Sequence, residues 1–478
     1  MGDSDTPGPE NTIVLGSNLT YLHQQRLNKM NGGSRAFSAP GKALFVGGYL
    51  VLKPYYSSLV VALSARMHAV IKASDEKSTE TVTVKVTSPQ FNDEQWCYAL
   101  SKARGFFPFE QDDRSNPFIE QTLFNVFNYF YNIEEYPKEI EINIYSDAEY
   151  HSQADCIIKR NKFKQFNFHK KYIEEVPKTG LGSSAGLVTV LTASICSLFI
   201  ENFDTSNEEH LHMVHGLAQV SHCQAQGKIG SGFDVAAATY GSLIYRRFKP
   251  ELIAGLPTMD FRNVRLYHEA LRKLVDVTDW NILMKRVKIP KGLKLVMGDV
   301  NNGSETVKLV SKVKKWYDDN EPRSAAIFEE INQNNNKVMD STFELNRMSE
   351  ENPEHYEKML AALRNGSIGE YAELIAIADA IRNIRRNFQL ISRESGADIE
   401  PEVQTHLLDE CSKLNGVLTC VTPGAGGFDA IVLITDENTD IVAKTKGKQA
   451  FKNVTWLDLR EGDVGILTED PKCYEGLE

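Results

Sequence analysis

The chain has 478 residues, of which 42% are apolar and 24% charged, and its formal net charge is −11. That is ordinary globular composition, with length for two or three domains. The acidic balance excludes a diffuse nucleic-acid surface, so any anionic ligand must be held in a local basic pocket.

Residues 1–34 are rich in Gly, Asn, Ser and Pro and are expected to form a mobile extension. Ala36-Phe-Ser38 reads as a short strand ending at Pro40-Gly41-Lys42. A β-rich stretch follows over 59–70, and Val82, Val84 and Val86 alternate with polar residues as a half-buried strand. A helix is expected over 116–131 and a strand through Ile140, Ile142 and Ile144. The basic run 159–171 reads as a solvated insertion between strands. Leu187, Val190, Leu191, Ile195, Leu198 and Phe199 fall at helical spacing with a wide apolar face, which predicts a buried helix. A second helix over 207–226 and a strand over 242–247 close a first α+β domain, 35–250. Residues 251–290 read as irregular. Beyond them come a strand at 293–299, a helix at 304–317, mainly helical sequence over 323–391, and strands at 416–422 and 430–435 around a glycine turn. These make a second α+β domain, 251–478.

The seven cysteines are scattered and form no CxxC pair, which argues against a zinc site or a disulfide framework and fits a reducing compartment. No apolar run is long enough to span a bilayer. The first 33 residues lack a signal pattern, and the last five match neither a peroxisomal nor an ER address. No membrane partner and a cytoplasmic location are therefore expected. Oligomeric state is left open, with a monomer as the expectation.

Four motifs carry chemistry. In Pro177-Lys-Thr-Gly-Leu-Gly-Ser-Ser-Ala-Gly186 a glycine loop opens into the buried helix. Glycines let backbone approach a ligand closely, and the free N–H groups of the helix's first turn face whatever the loop encloses. The candidate phosphate-binding residues are Lys178, Thr179, Gly180, Leu181, Gly182, Ser183, Ser184, Ala185 and Gly186. The Ser183 and Ser184 hydroxyls are suited to capping the helix, touching phosphate or ligating magnesium. The GxxxxGK[ST] spacing of a Walker A loop is absent. Pro40-Gly41-Lys42 alone reads as a turn lysine, Asp234 in Gly230-Ser-Gly-Phe-Asp234 as a helix cap, and Pro423-Gly-Ala-Gly-Gly-Phe-Asp429 as a bulged hairpin.

Together and in this order the motifs resemble the GHMP kinase superfamily. The wording is closest to the fungal-type phosphomevalonate kinases, through Ala36–Leu44, Val176–Val188, Cys223–Val235 and Glu394–Pro401. The resemblance covers the chain from Arg35 onward. It implies a two-domain GHMP fold: an N-terminal ribosomal-protein-S5-like α+β domain and a C-terminal ferredoxin-like α+β domain, with the active site in the cleft between them. It implies ATP and Mg2+, with Lys42 and Asp234 as catalytic residues and Ser184 as a magnesium ligand. The implied reaction moves the ATP γ-phosphoryl group onto the phosphate of 5-phosphomevalonate, in the mevalonate route to isoprenoids and sterols. A GHMP kinase acting on an alcohol such as mevalonate, or a silent ATP- or metabolite-binding sensor, is the alternative.

A phosphate monoester has a second pKa near ~6, so the acceptor is mostly a dianion at neutral pH and needs little base catalysis. Asp234 is therefore expected to orient Lys42 and the substrate rather than to take a proton. Repulsion between dianion and polyphosphate demands cations. Candidates are Lys42, Lys178, Lys228, Lys308, Arg66, His68, Arg385, Arg386 and Arg393. Ser231, Gly232, Lys228, Arg385, Arg386 and Gly426 are the expected substrate-binding residues. One departure stands out: mevalonate kinases hold magnesium with a glutamate upstream of the aspartate, where this chain has Cys223, Gln224 and Gln226.

Overall fold

The computed structural model describes residues 33–258, 260–300, 306–462 and 464–477. The expected leader, as far as residue 32, and the start of the helix expected at 304 lie outside the described residues.

The spine is the sixteen-residue strand Ser58–Ala73. Its apolar residues are buried at consecutive positions from Leu59 to Leu63, which is the pattern of a strand covered on both faces. It pairs antiparallel with Arg35–Val46, Glu139–Ser146 and Leu243–Arg246. Thr81–Ser88 then pairs parallel with Glu139–Ser146, and Glu94–Ser101 lies beyond it. Helices Ser183–Phe199 and Phe233–Tyr240 pack on this sheet, and Pro117–Tyr129 and Glu208–Ala225 pack on the Ser183–Phe199 helix and on each other. Helix and sheet come close at Gly186, where a Cβ would stand 2.7 Å from Met67 Cγ.

A second, four-stranded antiparallel sheet runs in the order Val417–Val421, Ala430–Asp436, Leu293–Asp299, Thr455–Leu457. Three of its helices are Arg323–Glu351, Ala372–Ser395 and Glu402–Ser412. The Ala372–Ser395 helix, in the stretch expected to be mainly helical, buries Ile377, Ile381, Ile384, Phe388 and Ile391 three and four apart.

The sheets do not divide at residue 250. Leu283–Arg286 pairs with Leu243–Arg246 in the first sheet. The stretch read as irregular contains the helix Val264–Asp276, which buries Tyr267, Leu271, Leu274 and Val275 at spacings of three and four. Near the chain's end Leu467–Glu469 pairs with Ala36–Ser38. Tyr474 packs on Tyr145 and Phe166, and its ring faces His68. The first lobe is therefore built from two separate stretches of chain. The basic run forms a hairpin, Cys156–Arg160 against Gln165–His169.

Candidate active site

The glycine loop is anchored at both ends. Upstream, Ser152 N–H donates to Pro177 O (2.8 Å) and Thr179 N–H to Tyr150 O (3.2 Å). Downstream, Gly182 takes a left-handed conformation (φ 86°) and stands as N-cap of the helix Ser183–Phe199, with no side chain capping it. Ser183 and Ser184 are thus inside the first turn, and neither hydroxyl caps the helix. A Cβ on Gly180 (φ 78°) would meet nothing within 4 Å, so open space lies in front of the loop. With the helix N–H groups behind it, this is a cradle for an anion.

Lys42 borders the cradle. Its backbone N–H donates to Leu181 O (3.0 Å) and its ammonium to Gly180 O (2.9 Å). A Cβ on Gly182 would touch the lysine stem at 3.1 Å, so glycine is needed for the lysine to lie along the loop. Burial lowers the Lys42 pKa, and the Asp234 charge pulls it partly back up. Asp234 sits in the first turn of Phe233–Tyr240, capped by Gly232 at φ 85°. A Cβ at Gly232 would stand 2.6 Å from Gln219 Oε1 and 2.8 Å from the Tyr245 hydroxyl. That hydroxyl donates to Ser231 O at 2.8 Å. The aspartate is thereby aimed by backbone packing, and the structure brings Lys42, Asp234 and the loop into one site.

The sequence reading passed over His222. Its Nε2 lies 3.0 Å from Ser184 Oγ, 3.9 Å from Asp234 Oδ2 and 3.3 Å from Gln226 Nε2. The residue next to Cys223, one turn before Gln226, is the group that reaches the loop serine. A hydroxyl and a carboxylate are hard oxygen donors of the kind magnesium takes.

The second lobe enters through Pro423–Gly427. Gly424 N–H donates to Leu44 O (3.2 Å), and the Tyr49 hydroxyl donates to Ala425 O (2.6 Å). Gly426 (φ 73°) lies so close to the second lobe's own backbone that a Cβ would fall 2.1 Å from Ile399 O. Of the expected cations, Lys178, Lys228, Arg386 and Arg393 are exposed. Three others are committed to the fold. Arg385 is buried against Glu400 (2.8 Å) and Asp409 (2.9 Å), which removes it from the substrate-binding set. Arg66 donates to Ser38 and to the carbonyl of Gly465, and His68 is buried between Asp147 and Tyr474. Ser304, which the sequence places at a helix start suited equally to a second phosphate or to plain capping, lies outside the described residues.

Cradle, lysine, aspartate and a two-lobed α+β frame define a kinase of the GHMP class. The GHMP kinases N-terminal domain model matches residues 149–242, which contain the loop, His222 and Asp234. A phosphomevalonate kinase of Candida albicans is 43% identical over 93% of this chain and 100% of its own length. One of Aspergillus fumigatus is 33% identical over 90% of this chain and 92% of its own. The chain belongs to the phosphomevalonate kinase family. Solved structures carry the same fold. A Lin0012 protein from Listeria innocua covers 91% of this chain and 99% of its own, at TM-score 0.60 and 18% identity. A Streptococcus pneumoniae phosphomevalonate kinase, solved with phosphomevalonate and AMPPNP, covers 89% and 99% at TM-score 0.52 and 18% identity.

Proposed function

We propose that the chain transfers the γ-phosphoryl group of ATP to the phosphate of 5-phosphomevalonate, giving 5-diphosphomevalonate and ADP. The observation that carries this is full-length similarity to a phosphomevalonate kinase together with an intact Lys42–loop–Asp234 site. The loop and the N-terminus of Ser183–Phe199 receive the ATP phosphates. Ser184 Oγ, with Asp234 nearby, fits a magnesium ion, which when bound neutralises charge between donor and acceptor. Lys42, held on Gly180 O, places a cation beside the transferring group, where charge is spread over the equatorial oxygens. Asp234 keeps that lysine charged and oriented. Lys178, Lys228 and Arg386, all exposed, are the cations proposed for the incoming anions, with Ser231, Gly232 and Gly426 beside the acceptor. The site is proposed to work in the cytoplasm; all seven cysteines are free thiols. Among the described residues no helix is long and apolar enough to cross a membrane.

The test is ADP release with magnesium and ATP, comparing 5-phosphomevalonate, mevalonate and no acceptor. Turnover with 5-phosphomevalonate alone is expected. Turnover with mevalonate instead would reassign the acceptor, and ATP binding without turnover would make the chain a sensor. Lys42→Ala and Asp234→Asn are each expected to lower kcat by about 100-fold or more, as loss of a transition-state charge contact does. Without the Asp234 charge only burial acts on Lys42, so on the alkaline side the Asp234→Asn rate should fall off at lower pH than wild type, while its acid side matches wild type. A rate lost with an ionisation assigned to Asp234 would make the carboxylate a base and refute the orienting role.

A further inference from the structure

We propose that His222 is a positioning residue that fixes the Ser184 hydroxyl for the metal–phosphate complex, in place of a second metal-binding carboxylate. The inference rests on the ATP-binding reading of the loop.

Three elements meet at one ring nitrogen. Ser184 comes from the loop helix, Asp234 from the first turn of Phe233–Tyr240, and His222 from the last turn of Glu208–Ala225. His222 is 3% exposed, and its ring lies 5.7 Å from that of Phe118, so the imidazole has little freedom to swing away. A serine hydroxyl at a helix's second position rotates freely unless something holds it. Here the ring nitrogen at 3.0 Å takes that freedom away. With Nε2 accepting the Ser184 O–H, both oxygen lone pairs are left for the cradle, where Ser184 would help to hold a magnesium ion brought with the nucleotide. Gln226 Nε2, 3.3 Å from the same nitrogen and one turn along the helix, flanks the ring. Among the described residues no group of three or more histidine, cysteine or acidic side chains forms a metal cage by itself. A metal here would therefore depend on ligand phosphates, on Asp234 and on how well the one loop hydroxyl is aimed. Partners standing behind a metal ligand typically carry 10–100-fold in metal affinity or activity.

The experiment compares wild type with His222→Ala, His222→Gln and His222→Phe. Binding of Mn2+ in the presence of the methylene analogue AMPPCP is read by electron paramagnetic resonance, and Mg2+ dependence by steady-state turnover. Expected is a ~10–100-fold weaker metal site and a higher magnesium half-saturation in Ala and Phe, with the KM for 5-phosphomevalonate within about twofold of wild type. Gln, whose amide oxygen accepts a hydrogen bond at similar reach, should restore most of the loss. If Ala and Phe both fail to fold, His222→Leu and His222→Met, which fill the space without accepting a hydrogen bond, stand in for them against Gln. Wild-type metal affinity in a folded Ala variant would overturn the proposal. So would a loss that Gln does not relieve, or strong nitrogen hyperfine coupling on the bound Mn2+, which would make His222 a direct ligand. A wild-type protein that binds Mn2+·AMPPCP but turns over no 5-phosphomevalonate would refute the proposed reaction and leave the His222 result readable.

Discussion

Replacing Arg385 separates a structural arginine from a substrate arginine. Its guanidinium reaches Glu400 Oε1 from Nη2 at 2.8 Å and from Nε at 3.1 Å, and Asp409 Oδ1 at 2.9 Å. The Glu400 side chain is 0% exposed and the Arg385 side chain 9%. Burial works against the guanidinium's charge, but the hydrogen bonds and charge of Glu400 more than offset it, so its pKa lies above arginine's usual value. In Arg385→Met, Glu400 would keep only neutral donors, Gln389 at 2.8 Å and Thr405 at 3.2 Å. Removing one partner of a buried pair costs about 3–5 kcal/mol, because the other charge stays buried and uncompensated. Spread over the second lobe, that is roughly 6–20 °C of melting temperature. Adding Glu400→Gln to Arg385→Met should recover part of this by removing the stranded charge. The assay is thermal denaturation of the three variants beside KM for 5-phosphomevalonate, which should stay within about twofold of wild type for any variant that folds. A variant of wild-type stability with a KM raised tenfold or more would return Arg385 to the acceptor site.

Two further outcomes follow from the structure. Burial lowers the pKa of His151 and of His215 to about 3. Above an unfolded pKa of ~6.5 both states are neutral and neither histidine affects stability. Below it the unfolded chain takes up protons that the folded chain refuses, so stability falls with pH until about 3. Between pH 7 and 5.5 the loss is about 1.3 kcal/mol per histidine, and His215→Leu should flatten the pH dependence of the denaturation midpoint by that amount. An unchanged slope would refute the assignment. Gly426→Ala should lower both stability and turnover sharply, since its Cβ would lie 2.1 Å from Ile399 O at φ 73°. Gly424→Ala (φ 66°), with nothing within 4 Å of the added carbon, should cost only about 1–2 kcal/mol of backbone strain. Equal effects at the two positions in thermal and turnover assays would show that contact with Ile399 is not what requires glycine.

What could be read from the sequence was whatever local pattern determines. The loop helix announced itself through Leu187, Val190 and Ile195, and the strand Leu293–Asp299 through its apolar run, because burial imposes those periods. The glycine loop was legible for the same reason: Gly180 and Gly182 do adopt positive φ. The helix Val264–Asp276 was legible too and was passed over: Tyr267, Leu271, Leu274 and Val275 fall three and four apart, with Arg265, Glu269, Arg272 and Lys273 between them. The rest depends on which segments meet in space. Arg385 and Arg386 are indistinguishable as neighbours in sequence. Only the return of residues 400–409 past the Ala372–Ser395 helix puts Glu400 and Asp409 around one and leaves the other in solvent. His222 had one available signal, its position four residues before Gln226 and twelve before Asp234. A search for carboxylates alone passes over an imidazole.

The lobes touch in two different ways, and the difference bears on how the cleft works. The chain crosses between lobes near 287–292 and again near 458–462, and these crossings are tied together. Ile289 N–H donates to Glu461 Oε2, Gly462 N–H to Ala62 O, and Ser64 N–H to Arg460 O, each at 2.8 Å. Separating the lobes there would strain two covalent connections and several backbone hydrogen bonds together. At the active site the contact is lighter: Gly424 to Leu44, Tyr49 to Ala425, and the edge of Phe388 against Tyr49 at 6.1 Å. Each such hydrogen bond is worth about 1 kcal/mol net, within reach of the binding energy of a charged substrate. The double crossing thus holds the lobes by chain and backbone hydrogen bonds, and the glycine turn holds them by two hydrogen bonds at the rim of an apolar core that both lobes share. Glycines at 424, 426 and 427, all at positive φ, shape the turn that carries this contact.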